Sequence, residues 1–97
     1  MRSLAALVAL AALLLGGAGW VAELKHSRDQ FLGKARLHAA HRAGALKSLP
    51  SLEDEKWKRW CARYAEWHGE MERKYRDAAS TPWRRVEVDT EEPPFPL

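Results

Sequence analysis

The chain has 97 residues, 16 Lys and Arg against 13 Asp and Glu, a formal net charge of +3 and one cysteine. That length holds one small domain and excludes the barrel and doubly wound scaffolds on which many enzymes are built. One cysteine excludes an internal disulfide framework and a multi-cysteine zinc site. Ile and Asn are absent and Val and Thr are few, so a β-sheet has little material and the expected fold class is all-α.

Charge is spread unevenly. Residues 1–22 carry only Arg2. Residues 23–49 carry six basic and two acidic residues, residues 50–80 seven of each, and residues 81–97 two basic and four acidic. The basic excess therefore adjoins an apolar N-terminus, as in membrane proteins, and no nucleic-acid partner is expected.

Leu4 to Ala22 is uncharged, and Leu4 to Leu15 contains only Leu, Ala and Val. At 1.5 Å rise per residue this run reaches about 28 Å, close to one hydrocarbon core. As a retained transmembrane helix over 1–22 it has the lipid bilayer as its partner, with Trp20 near the interface. Lys25, Arg28, Lys34, Arg36 and Arg42 then follow the span, which puts the N-terminus outside and residues 23–97 in the cytoplasm. The alternative is a cleaved secretory signal, with Gly16-Gly17-Ala18-Gly19 as the small-residue segment and a secreted or periplasmic helical binding protein as the product. The basic segment that follows opposes export. Ala12-x-x-x-Gly16 has the small-xxx-small spacing of close helix pairs, so a homo-oligomer is one possible partner and an unknown protein another.

Residues 23–49 read as a basic, Ala-rich helix. Leu32, Ala35, Ala39, Ala43, Leu46 and Leu49 share one face. Pro50 stops it. Residues 51–80 read as a second helix, with Ser51 as N-cap and Glu53, Asp54 and Glu55 in the first turn. Trp57, Trp60, Tyr64, Trp67, Met71 and Tyr75 follow at spacings of three and four. They form the candidate core or interaction stripe. Glu55–Arg59, Glu70–Lys74 and Glu72–Arg76 are spaced for i,i+4 pairing. A short connection favours an antiparallel hairpin, with Ala43 near Trp57, Ala39 near Trp60 and Leu32 near Met71. Residues 81–97 form an acidic, Pro-rich tail, expected to be disordered over 89–97.

No motif of catalysis is present: there is no glycine-rich phosphate loop, His-Glu-x-x-His or Gly-x-Ser-x-Gly. The protein reads as a non-enzyme without a cofactor. His38 and His41, three residues apart, could face one metal or haem iron, but no third ligand stands at matched spacing, and solvated histidines are the expectation. Cys61 and His68 share a helix side about 10 Å apart. That is too far for a nucleophile and its base, and Cys61 reads as a small packing residue.

The closing block Lys74-Tyr75-Arg76-Asp77-Ala78-Ala79-Ser80-Thr81-Pro82-Trp83 follows an apolar N-terminal run and an aromatic helix and precedes an acidic Pro-rich end. In this it resembles a group of short uncharacterised bacterial membrane-anchored proteins. The resemblance runs from about Trp67 to Pro94. It implies a bacterial membrane-tethered protein and brings no activity, cofactor or site residue with it.

Overall fold

A computed structural model describes residues 2–96. Among them are two α-helices, α1 (Arg2–Ser48) and α2 (Glu55–Ser80), joined through a 3-10 turn at Leu49–Ser51, and no strand. The sequence places a boundary between residues 22 and 23, but α1 runs through it unbroken. No proline interrupts residues 2–48, and a change from apolar to charged side chains alters the surroundings of a helix without breaking its backbone. Its 47 residues span about 70 Å at 1.5 Å each, and they set the 80 Å long dimension of the molecule.

The start of α2 differs from expectation. Ser51 belongs to the 3-10 turn, and its hydroxyl donates to the Ser48 carbonyl at 2.7 Å. Pro50 has no N–H to satisfy, which suits the first turn of so short a helix. Leu52 is extended (φ −78°, ψ 132°), so the helix begins only once the chain has crossed from one axis to the other. Asp54 is the N-cap, its carboxylate accepting from the Lys56 N–H at 2.8 Å. An aspartate there satisfies an orphan donor and places negative charge at the positive end of the helix dipole.

Contacts between the helices pair falling numbers in α1 with rising numbers in α2: Ala45 with Cys61, His41 with Tyr64, His38 with His68, Ala35 with Met71 and Phe31 with Tyr75. Two helices of opposite direction produce this order. The register differs from the one built on Ala39 and Trp60. On α1, Ala35 is 1% exposed, Ala43 is exposed and Leu46 is 47% exposed. On α2 the buried residues are Cys61, Ala65, His68, Gly69, Met71, Tyr75 and Ala79. Of the expected stripe, Met71 and Tyr75 are buried. Trp60, Tyr64 and Trp67 are half-buried, and Trp57 is exposed. The seam runs one position beside the aromatic stripe because Cys61, Ala65 and Gly69 let the backbones approach more closely than indole rings would. The large rings are left along the flank.

Residues 86–96 cover that flank. The chain turns at Thr81–Arg84, where the Arg84 N–H donates to the Thr81 carbonyl at 3.0 Å, and then returns along α2 as an extended strap. Val86 packs on the cluster of Ala35, Met71 and Tyr75. The Trp67 indole N–H donates to Thr90 Oγ1 at 2.9 Å, and that of Trp60 to the Pro93 carbonyl at 3.3 Å. The Phe95 ring lies 5.0 Å from Trp60 and 6.3 Å from Trp57. The disorder expected over 89–97 is therefore corrected for residues 89–96; Leu97 lies outside the described residues. Composition alone omits the helix flank that supplies indole donors and apolar rings. Pro93, Pro94 and Pro96 lack N–H groups, so an extended chain there leaves fewer donors unpaired.

Surface ion pairs follow the strap as well. Glu72 pairs with Arg76 at 2.7 Å as its spacing predicts. Glu55 meets Lys58 instead of Arg59, and Lys74 turns to Asp89 at 2.7 Å.

Candidate functional site: histidines under the strap

The densest polar chemistry lies where α1, α2 and the strap meet. Residue 38 of α1 stands opposite residue 68 of α2, and one turn further along α1 brings in His41. The Nδ1 atoms of His38 and His68 are 2.7 Å apart, which requires one proton between them, one ring donating and the other accepting. The His41 ring stacks on His68 with centroids 4.9 Å apart and 21° between planes. Tyr64 OH lies 3.3 Å from His41 Nδ1.

Aromatic rings wall the group. His38 lies parallel to Tyr75 (5.7 Å, 1°) and edge-on to Trp67 (5.5 Å, 79°). Tyr64 and Trp67 both stand edge-on to His68 at 4.3 and 4.8 Å. His68 is 4% exposed, and its Nε2 is buried without a hydrogen-bond partner. The nearest carboxylate oxygen is Glu92 Oε1 at 3.7 Å, from the strap. A proton on His68 Nε2 faces that negative charge, and His68 Nδ1 is then the acceptor for His38 Nδ1–H. This tautomer pair satisfies the short contact and leaves both rings neutral.

Burial holds both rings in that state. It lowers the His38 pKa below the ordinary histidine value; Asp89 opposes the shift and His41 adds to it. Burial likewise lowers that of His68, with the charges of His38 and His41 adding and Glu92 opposing. Tyr64 is pushed up, by burial first and then by Glu92 and Cys61.

Below the histidines the strap is fastened by a carboxylate. Tyr75 OH donates to Asp89 at 2.7 and 2.6 Å to its two oxygens, and Lys74 Nζ donates at 2.7 Å. Burial, then the hydrogen bond and charge of Asp89, push Tyr75 up to about 12. Burial tends to raise Asp89, but the hydrogen bonds from Lys74 and Tyr75 outweigh it and leave its pKa lowered. Lys34 Nζ lies 5.1 Å from the Tyr75 ring centroid on the α1 side.

This arrangement shares a proton. Two nitrogens on one tetrahedral zinc stand about 3.3 Å apart, wider than the 2.7 Å contact. Among the described residues no group of three or more His, Cys, Asp or Glu is placed to hold a metal ion. Cys61 is buried, and its Sγ donates to the Ala45 carbonyl at 3.2 Å.

Sequence reading names His38 and His41 as a pair and misses His68, Asp89, Thr90 and Glu92 as their companions. The signal that links them is symmetry about the turn. The contacting pairs are mirrored about residue 53, just before the Asp54 cap, and this sets position 38 opposite position 68. No family model matches the chain, and comparison with curated proteins and with solved structures also gives no match.

Proposed function

We propose that this is a single-pass, membrane-anchored helical protein whose antiparallel hairpin and strap form a small interaction or scaffolding head at the membrane surface. Residues 1–22 stay in the bilayer, the N-terminus lies outside and the head lies in the cytoplasm. The observation that carries this reading is the Leu4–Ala22 stretch. Its mean hydropathy reaches 2.2 over 18 residues and none of that window is buried. Leu13 and Leu15 are each 74% exposed. Each leucine left in water forgoes roughly 1.5–3 kcal/mol of burial, so lipid is the solvent this surface fits.

Continuity of α1 through Gly16, Gly17, Ala18 and Gly19 supports retention, because a rigid helix then joins the span to the head. The resemblance of residues 67–94 to short bacterial membrane-anchored proteins points the same way. A shallow groove at the far end of the hairpin, lined by Leu37, Gly44, Leu52, Trp57, Trp60 and Tyr64 among others, offers the head an apolar surface for a protein partner. Leu37 and Trp57 are 57% and 38% exposed. Binding, not catalysis, is the chemistry such a surface offers.

The test is the intact mass of protein extracted from membranes, together with a C-terminal reporter active only in the cytoplasm. Full-length mass and an active reporter are expected. A soluble product shortened by about 18 residues, the length set by a cut at the small-residue segment, would replace this reading with an exported binding protein.

A further inference from the structure

We propose that the chain reversal at Thr81–Arg85 is a second membrane contact, in which Trp83 enters the interface and Arg84 and Arg85 bind the phosphates of anionic lipid headgroups. The proposal rests on the reading that residues 1–22 remain in the bilayer. Trp83 is about sixty residues from that span along the chain, and folding returns it. Arg28 of α1 lines one groove with Ala79, Ser80 and Pro82, at the end of α2. The reversal is thus level with the part of α1 six residues beyond Ala22, or about 9 Å along the axis. The headgroup layer is roughly 5–8 Å deep on each side of the hydrocarbon core, so the reversal stands at its outer edge and its long arginine and indole side chains reach into it. The strap then runs away from this level, from Val86 toward Trp57, so the reversal is the membrane-facing extremity of the head.

The side chains at that extremity suit the location. Trp83 is 61% exposed and has no ring partner among the described residues. An indole is costly to leave in water and favoured at a headgroup boundary, where its N–H stays wet and its ring does not. Arg84 and Arg85 are exposed and make no ion pair among the described residues. Arg28 of α1 lines the neighbouring groove, and along the chain Lys25 and Arg28 are offset by Glu23 and Asp29. Arg76 is engaged by Glu72. Asp77 and Glu87 share a groove with Arg84 and Arg85 but lie outside the reversal itself, which contains no acid. A planar guanidinium binds phosphate oxygens in pairs.

The experiment places the full chain in lipid nanodiscs, either zwitterionic phosphatidylcholine alone or with added anionic phosphatidylglycerol, including lipids brominated near the headgroup. The emission lost on Trp83→Phe isolates that indole. Strong quenching of this component in anionic discs is expected, weakening as salt rises from about 50 to about 500 mM. Each arginine contributes about five-fold to the docked population, so R84Q/R85Q is expected to reduce the docked-to-free ratio about 25-fold in anionic discs. An inserted chain whose Trp83 component stays unquenched in both discs would overturn the proposal while leaving the anchor intact. Equal quenching in both discs, unchanged by R84Q/R85Q, would also overturn it, because phosphate recognition would then play no part. A chain that fails to insert at all would overturn the anchor reading and this contact with it.

Discussion

Replacing Tyr75 by Phe removes one hydroxyl and leaves the buried ring in place. That hydroxyl donates to both oxygens of Asp89 at 2.7 and 2.6 Å. It is the point where the strap is fastened to the seam. A hydrogen bond to a charged group contributes about 1.5–3 kcal/mol. Asp89 is 41% exposed and keeps Lys74 at 2.7 Å, so water and the ammonium relieve part of the loss, and about 1–2 kcal/mol is expected. The phenol itself gives a second measure: its rise from 10.0 to about 12 corresponds to roughly 3 kcal/mol against ionisation in the fold. Burial is the first cause of that rise, so the Asp89 bond accounts for only part of it. The two figures agree in scale. The assay is amide hydrogen exchange over residues 86–94 in the full chain: Tyr75→Phe is expected to open the strap about five- to thirty-fold more often, with helix signals unchanged. The sign with pH follows from the raised value. Stability from Tyr75 is complete below pH 10 and is lost as pH rises through about 12, so wild-type protein loosens over that window more than Tyr75→Phe does. Unchanged exchange in the variant, or identical alkaline profiles, would refute the fastening.

The histidine pair predicts an acid response of the opposite sense. The folded-state values of His38 and His68 are lowered, so the unfolded chain binds more protons just below pH 6.5. Stability then falls as pH drops through the histidine range toward the depressed folded values. Thermal melts between pH 8 and 5 check this, and His68→Leu is expected to flatten the dependence. Ala35→Leu, at 1% exposure, is expected to cost about 1–3 kcal/mol by overpacking, whereas Ala43→Leu on the exposed surface changes stability by less than about 0.5 kcal/mol. Equal effects of the two in chemical denaturation would restore the register built on Ala39 and Trp60. At Gly69, an added Cβ meets Arg42 Nε at 3.2 Å and Cδ at 3.3 Å. That exposed side chain can swing aside, and alanine gains up to about 1 kcal/mol of helix propensity, so Gly69→Ala is expected to raise the melting temperature slightly. A lower melting temperature would show that Arg42 is fixed in place.

Much of the fold is legible in the residue order because it depends on local physics. The absence of Ile and Asn, the Leu/Ala run, the stop at Pro50 and the three-and-four spacing from Trp57 to Tyr75 each constrain a few neighbouring residues, and they are enough to indicate two helices and an apolar N-terminal span. The end of α2 at Ser80 is local as well, because the residue before Pro82 is disfavoured in the helical region. Which face forms the seam is not local. It turns on how closely two backbones approach, and there Cys61, Ala65 and Gly69 fit where the larger rings of Trp60 and Trp67 do not. The strap is further from view. An acidic, proline-rich tail reads as disordered until a flank of indole donors, Tyr75 and Lys74 is set beside it, because its hydrogen bonds reach partners 14 to 33 residues away. Residue order is enough for the helices and the apolar N-terminal segment, which rest on neighbours along the chain. That His38, His41 and His68 meet, and that Pro82 returns beside Arg28 of α1, follows from the fold, since both depend on the register across the turn, and a shift of a few residues there moves every contact between the helices.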